Sequence, residues 1–166
     1  RTIDDLLLLA RGESAVSPPS TPVDLDDIVL REVAARSGAA EVDLDVSGVS
    51  GAQVTGDVLQ LSRAVRKLLV NAARHAGSRV VVTLAEADGE AMLTVADDGP
   101  GIPAADRERV FERFTRLDEA RTRHSGGSGL GLPISRGIAE RHGGSLTVDP
   151  THDDGARLVL RLPAAA

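Results

Sequence analysis

The chain has 166 residues, 42% hydrophobic and 27% charged, which suits one globular domain with a proper core and a short appendage. Its net charge of -6 argues against a nucleic-acid partner, because affinity there comes mainly from neutralising phosphates. The lack of cysteine excludes disulfides and thiolate metal sites, and no apolar run approaches the roughly 20 residues that span a bilayer.

Residues 1–11 read as the end of a helix, with Ile3, Leu6, Leu7 and Ala10 at helical spacing and Gly12 as a stop. So short a helix is marginal alone, which points to a longer element. Residues 12–22 have the Pro, Ser and Thr content of a linker, and a domain boundary is expected there. The globular unit is expected over 23–163, with a tail at 164–166. Asp24 to Ser37 should be a helix with Leu25, Ile28, Val29 and Val33 inward and Gly38 at its end. Residues 41–46 alternate Val42, Leu44 and Val46 with acidic residues, as a half-buried strand does.

A short strand around Gln53 and Val54 leads to Asp57, an expected N-cap. The helix from 57 to 76 should turn Val58, Leu61, Val65, Leu68 and Ala72 inward. Residues 79–86 and 91–97 read as strands joined by Asp88-Gly89, a strong hairpin signal. Leu130 to His142 reads as a helix, with Pro133 tolerated in its first turn and Gly143 closing it. Residues 145–148 and 157–162 form a last strand pair around Asp153-Asp154-Gly155. The economical architecture places the helices on one face of a mixed, mostly antiparallel sheet.

Four segments carry candidate chemistry. On the 57–76 helix, at about 100° per residue, Lys67, Asn71, Arg74 and His75 share roughly 100° of arc. The Asn71 amide oxygen is a hard neutral ligand suited to Mg²⁺, and the neighbouring cations suit phosphate; a solvated helix face is the plainer alternative. Asp97 ends the second hairpin strand on the same face as Leu93 and Val95, where a carboxylate needs a partner. An adenine amino group would satisfy it and guanine would not; backbone N–H groups of the Gly99-Pro100-Gly101 turn are the other candidate partners.

Gly126-Gly127-Ser128-Gly129-Leu130-Gly131-Leu132 runs straight into a helix start, where free N–H groups and the helix dipole favour an anion. No Lys-Ser or Lys-Thr follows, so it is not a Walker A loop. Between the glycine clusters lie Phe111 and Phe114, the chain's two aromatic residues. They are expected on one face of a short helix, as a latch or as a core anchor, with Arg113, Arg116, Arg121 and Arg123 nearby.

In order, these segments resemble the N, G1, F and G2 boxes of the sensor histidine kinase ATP-binding domain, a member of the Bergerat-fold superfamily. The resemblance covers 23–163 and implies an α/β two-layer sandwich, a flexible ATP lid at about 100–128, and ATP with Mg²⁺ as cofactors. It makes Asn71 the magnesium-binding asparagine and Asp97 the adenine-reading aspartate. Gly99, Gly101, Gly127, Gly129 and Gly131 become lid hinges and phosphate cradle, with Ser128 and Leu130 in the same loop, and Arg74 and His75 become phosphate contacts. Lys67 departs from the family's frequent second asparagine, and Asp98 replaces a frequent asparagine.

Residues 1–11 resemble the end of a dimerisation and phosphoacceptor helix. None of His75, His124, His142 or His152 begins the acceptor pattern, so this chain is not expected to phosphorylate itself. The resemblance implies a dimeric, membrane-anchored parent with a cytoplasmic catalytic domain, itself expected to be monomeric. Phosphoryl transfer would run from ATP to an upstream histidine and then to a response-regulator aspartate. A serine kinase of the same superfamily, a nucleotide-sensing module without kinase activity and a superfamily ATPase clamp are the alternatives.

Overall fold

The computed structural model describes residues 21–38, 41–115 and 128–166, together with the helical positions Ile3, Leu6, Leu7 and Ala10. Its elements run β1 (Thr21–Asp24), α1 (Leu25–Ala34), β2 (Asp43–Val49), β3 (Gln53–Gly56), α2 (Val58–His75), β4 (Arg79–Ala87), β5 (Glu90–Asp97), α3 (Gly131–Arg141), β6 (Ser145–Val148) and β7 (Arg157–Pro163). Single 3-10 turns lie at Ala104–Asp106 and Arg109–Phe111.

Five strands form one sheet in the order β2-β4-β5-β7-β6, parallel between β2 and β4 and antiparallel elsewhere. Alternation turns Val80, Val82, Leu84, Leu93, Val95, Leu158, Leu160 and Leu162 to one face, where all are buried. Against it pack Ile28 and Val29 of α1, Leu61, Leu68 and Leu69 of α2, and Ile134 and Ile138 of α3. The result is the expected two-layer α/β sandwich, with the helices on one face of the mixed sheet.

Local chemistry explains the element ends. The Asp57 carboxylate accepts the N–H groups of Leu59 at 2.8 Å and Gln60 at 3.1 Å, satisfying two orphan donors of α2. Asp88 (φ 53°) and Gly89 (φ 78°) both take positive φ between β4 and β5, as a type I′ hairpin requires.

Three expectations change. Thr21 and Pro22, read as linker, belong to β1, which pairs antiparallel with β3 in a separate two-stranded sheet. Val58, read as core, is exposed, together with Leu59 in the first turn of α2. The 41–46 strand begins later and runs to Val49, following β4 through an irregularity between Asp45 and Gly48.

Glu32 joins α1 to α2. It is buried and accepts from Arg66 Nε at 3.0 Å, Arg66 Nη2 at 2.9 Å and Arg36 Nη1 at 3.2 Å. The Arg66 hydrogen bonds hold its carboxyl below the usual glutamate range, against the opposing pull of burial. Glu32→Gln should therefore cost about 2 kcal/mol in urea unfolding at neutral pH. A depressed folded-state value means this contribution is complete above the ordinary glutamate range and is lost as pH falls through the lower folded value. Acidification should accordingly close the gap between wild type and variant.

Candidate functional site

The strip on α2 forms as its spacing predicts. Lys67 and Asn71 are half-buried, and Arg74 and His75 are exposed in the last turn. The first turn of α3 lies beside this strip: a Cβ on Gly131 would stand 3.8 Å from Lys67 Cδ. Among the described residues no side chain caps the start of α3 at Leu130, where first-turn N–H groups and the helix dipole favour an anion.

Asp97 is buried at the end of β5, beside Leu93 and Val95 on the core face. Its Oδ1 accepts the Gly99 N–H at 2.9 Å, the turn contact anticipated from sequence. Burial pushes the Asp97 carboxyl above the usual aspartate range, while the backbone N–H groups of Gly99 and Ala156 and the charge of His75 partly offset it. A buried carboxylate that still has lone pairs to offer is suited to an N–H donor from a ligand.

The glycines of this turn are there for proximity and conformation. A Cβ on Gly99 would lie 2.1 Å from the His75 carbonyl oxygen, so the turn rests directly on the end of α2. Gly101 has φ 77° and lies against Gly155, whose own φ is 108°. A Cβ on Gly155 would meet the Asp97 carbonyl oxygen at 2.0 Å. Gly155 thus shapes the site, although its Asp153-Asp154-Gly155 context signals only a turn.

The aromatic pair does not share a helix face. Phe111 ends a single 3-10 turn and is buried, with the Arg136 guanidinium 4.8 Å above its ring. Phe114 takes φ 64° and is 60% exposed. Its N–H donates to the Gly129 carbonyl at 3.0 Å, and a Cβ on Gly129 would stand 2.8 Å from Phe114 Cα. This close backbone pairing joins the two stems of the segment between them and overrides helical spacing.

Ser128 is exposed beside that pairing. Gly127, Arg116, Arg121 and Arg123 lie outside the described residues. The structure therefore brings together His75, Asp97 and Gly99 where α2 and β5 end, with Asn71 one turn earlier on α2 and Gly131 adjacent to Lys67. A separate groove of about 530 Å³ is lined by Met92, Thr94, Arg107, Arg157 and Arg161, and none of the candidate site residues contributes to it.

Asp98 is the main contributor that sequence reasoning undervalues. Its partners Gly77, Ser78 and Arg79 stand 19 to 21 residues away, so no local pattern announces them.

Residues 56–166 match the family described as Histidine kinase-, DNA gyrase B-, and HSP90-like ATPase. The signal transduction histidine-protein kinase/phosphatase MprB of Mycolicibacterium smegmatis is 42% identical, over 97% of this chain and 34% of its own length. The solved structure of a mycobacterial sensor histidine kinase MprB superposes with a TM-score of 0.76 at 37% identity, covering 87% of this chain and 97% of that one. Full-length ShkA in complex with AMPPNP gives a TM-score of 0.82 at 27% identity, over 99% of this chain and 35% of that one. The chain belongs to this ATPase family, as the ATP-binding catalytic domain of a sensor histidine kinase. It spans about a third of the length of the curated relatives it matches.

Proposed function

We propose that the chain holds ATP with Mg²⁺ between α2, the Asp97 turn and the start of α3, for phosphoryl transfer to a histidine on a helix of the longer protein. The buried Asp97 carboxylate, one oxygen of which accepts the Gly99 N–H, carries this reading. In this reading Asp97 accepts the adenine amino group, and guanine would set a carbonyl oxygen against it.

The residues present fit the metal. Asn71 offers one hard neutral oxygen at a half-buried position, and Mg²⁺ takes one or two protein oxygens and completes its shell with phosphate and water. Asn71 Oδ1 would be the protein ligand. Bound there, Mg²⁺ would neutralise charge on the transferring phosphate.

Arg74 and His75 offer donors to phosphate oxygens. Gly99 and Gly101 would let backbone approach the nucleotide, and Ser128, Gly129, Leu130 and Gly131 would present N–H groups to the phosphates. Catalysis here is positioning and charge neutralisation. The acceptor histidine and a response regulator complete the reaction in the parent, a membrane-anchored dimer with this domain in the cytoplasm. No helix among the described residues is long and apolar enough to cross a membrane. The names of the relatives favour a histidine acceptor over serine.

Calorimetric titration with ATP, ADP and GTP, with and without Mg²⁺, tests the pocket. Adenine-selective binding strengthened by Mg²⁺ is expected, and indifference to the base would overturn it. Joined to a phosphoacceptor helix, the domain should give an acid-labile label; an acid-stable label would identify a serine kinase.

A further inference from the structure

Asp97 and Asn71 sit on different elements, and their spacing decides whether one nucleotide can reach both. The end of α2 has no helical continuation: Ala76 leaves the helix at ψ 142°, and the chain enters β4 within three residues. This exit presents successive N–H groups that a helix or ladder would otherwise satisfy. One side chain collects them. Asp98 Oδ1 accepts from Gly77 N at 2.8 Å, Ser78 N at 3.0 Å and Arg79 N at 3.1 Å, and Oδ2 accepts from Ser78 Oγ at 2.7 Å. The Asp98 N–H in turn donates to the Arg79 carbonyl at 3.3 Å.

From this geometry we infer that Asp98 is a positioning residue, a clasp that fixes the metal- and phosphate-facing end of α2 against the adenine-facing end of β5. The inference rests on the nucleotide reading above. Asp98 follows Asp97 directly, and the next residue, Gly99, abuts the His75 carbonyl, so the clasp sets the distance between the two halves of the site. The side chain itself is exposed and points away from the core, so its role is not to fill volume. Three of the four donors converge on a single oxygen. The Ser78 N–H also reaches Oδ2 at 3.2 Å, but its shorter bond is to Oδ1, so an asparagine carbonyl there would keep all three and its amide, donating to Ser78 Oγ, would lose only that longer contact. A glutamate would keep the charge but move the acceptor by one methylene.

The experiment compares wild type with Asp98→Asn, Asp98→Glu and Asp98→Ala, titrated with ATP plus Mg²⁺ and, by NMR, with adenosine alone. Circular dichroism melts establish that each variant is folded at the titration temperature. Adenosine engages only the adenine end, whereas ATP with Mg²⁺ must span both. Asp98→Asn is expected within about twofold of wild type for both ligands. Asp98→Glu and Asp98→Ala should bind ATP about tenfold more weakly, since displacement of positioning groups has effects of this order or larger, while holding adenosine within about twofold. Should Asp98→Ala fail to fold, the Asn and Glu pair alone decides, because it sets geometry against charge.

The inference falls if both ligands weaken in parallel, which is a purely structural role, if neither weakens, or if Asn fails as Glu does. Wild type that binds no adenine nucleotide would overturn the nucleotide reading itself. Wild type that binds normally beside unaffected variants would overturn only the clasp.

Discussion

Asp97→Asn should weaken ATP binding about 100-fold while leaving the fold as stable as wild type or more so. In the native site both carboxylate oxygens accept, one from the Gly99 N–H at 2.9 Å and the other, in the nucleotide reading, from the adenine amino group. An amide has one acceptor and one donor end. Either Gly99 or the adenine then faces a donor, a mismatch of about 1–3 kcal/mol in a buried setting. With no ligand present the amide oxygen turns to Gly99 and the conflict disappears. Burial raises the Asp97 value in the folded state, so its ionisation destabilises the native fold, and stability from this group falls as pH rises through that value. Removing the charge removes that cost.

The same shift predicts the pH profile of binding. The carboxylate must be ionised to accept, so ATP affinity should decline on acidification from a pH above the ordinary aspartate range. Parallel calorimetry and thermal melts check both statements. A variant that loses stability and keeps ATP would reverse the assignment.

Gly99→Ala should destabilise the domain by about 2–4 kcal/mol and abolish nucleotide binding. The added Cβ would sit 2.1 Å from the His75 carbonyl oxygen and 2.9 Å from Asp97 Oδ1. The first obstacle is backbone held by the last turn of α2, so no rotamer change relieves it. Either the turn lifts from α2 or the helix end shifts, and both separate Asp97 from Asn71. Gly51→Ala is the control, because a Cβ there meets nothing within 4 Å and should change stability by less than about 0.5 kcal/mol. Equal urea midpoints for the two variants would refute the contact.

Much of this was legible in the chain because it is local. The Asp57 cap, the Asp88-Gly89 turn and the core-side placement of Asp97 depend on spacings of a few residues or on strand alternation, and all three form as read. What escaped depends on distant chain. Thr21 and Pro22 look like linker by composition, but their partners Gly56 and Thr55 lie more than thirty residues on. The three-residue spacing of Phe111 and Phe114 suggests a shared helix face, yet the Gly129 backbone draws Phe114 into positive φ. Asp98 gathers donors from a loop it follows by about twenty residues. Composition and periodicity carry no trace of such pairings, which exist only once the fold has brought distant stretches of chain together.

The helix pair behind the site is held unevenly along its length. At the end farthest from Gly131, the His142 ring sits between the Ile138 carbonyl, 2.8 Å from Nδ1, and the Asp57 N–H, which donates to Nε2 at 3.1 Å. A Cβ on Gly56 would come within 2.3 Å of that ring. Midway, Ser135 Oγ donates to the Ala64 carbonyl at 3.1 Å. Beside Lys67, α3 begins on a glycine with no side chain to interlock. There the apolar neighbours Leu130 and Ile134 are fully buried. An imidazole, a hydroxyl and close apolar packing thus divide the α2–α3 seam into three chemically different joints, the polar ones at the far end and the middle, the greasy one beside the site.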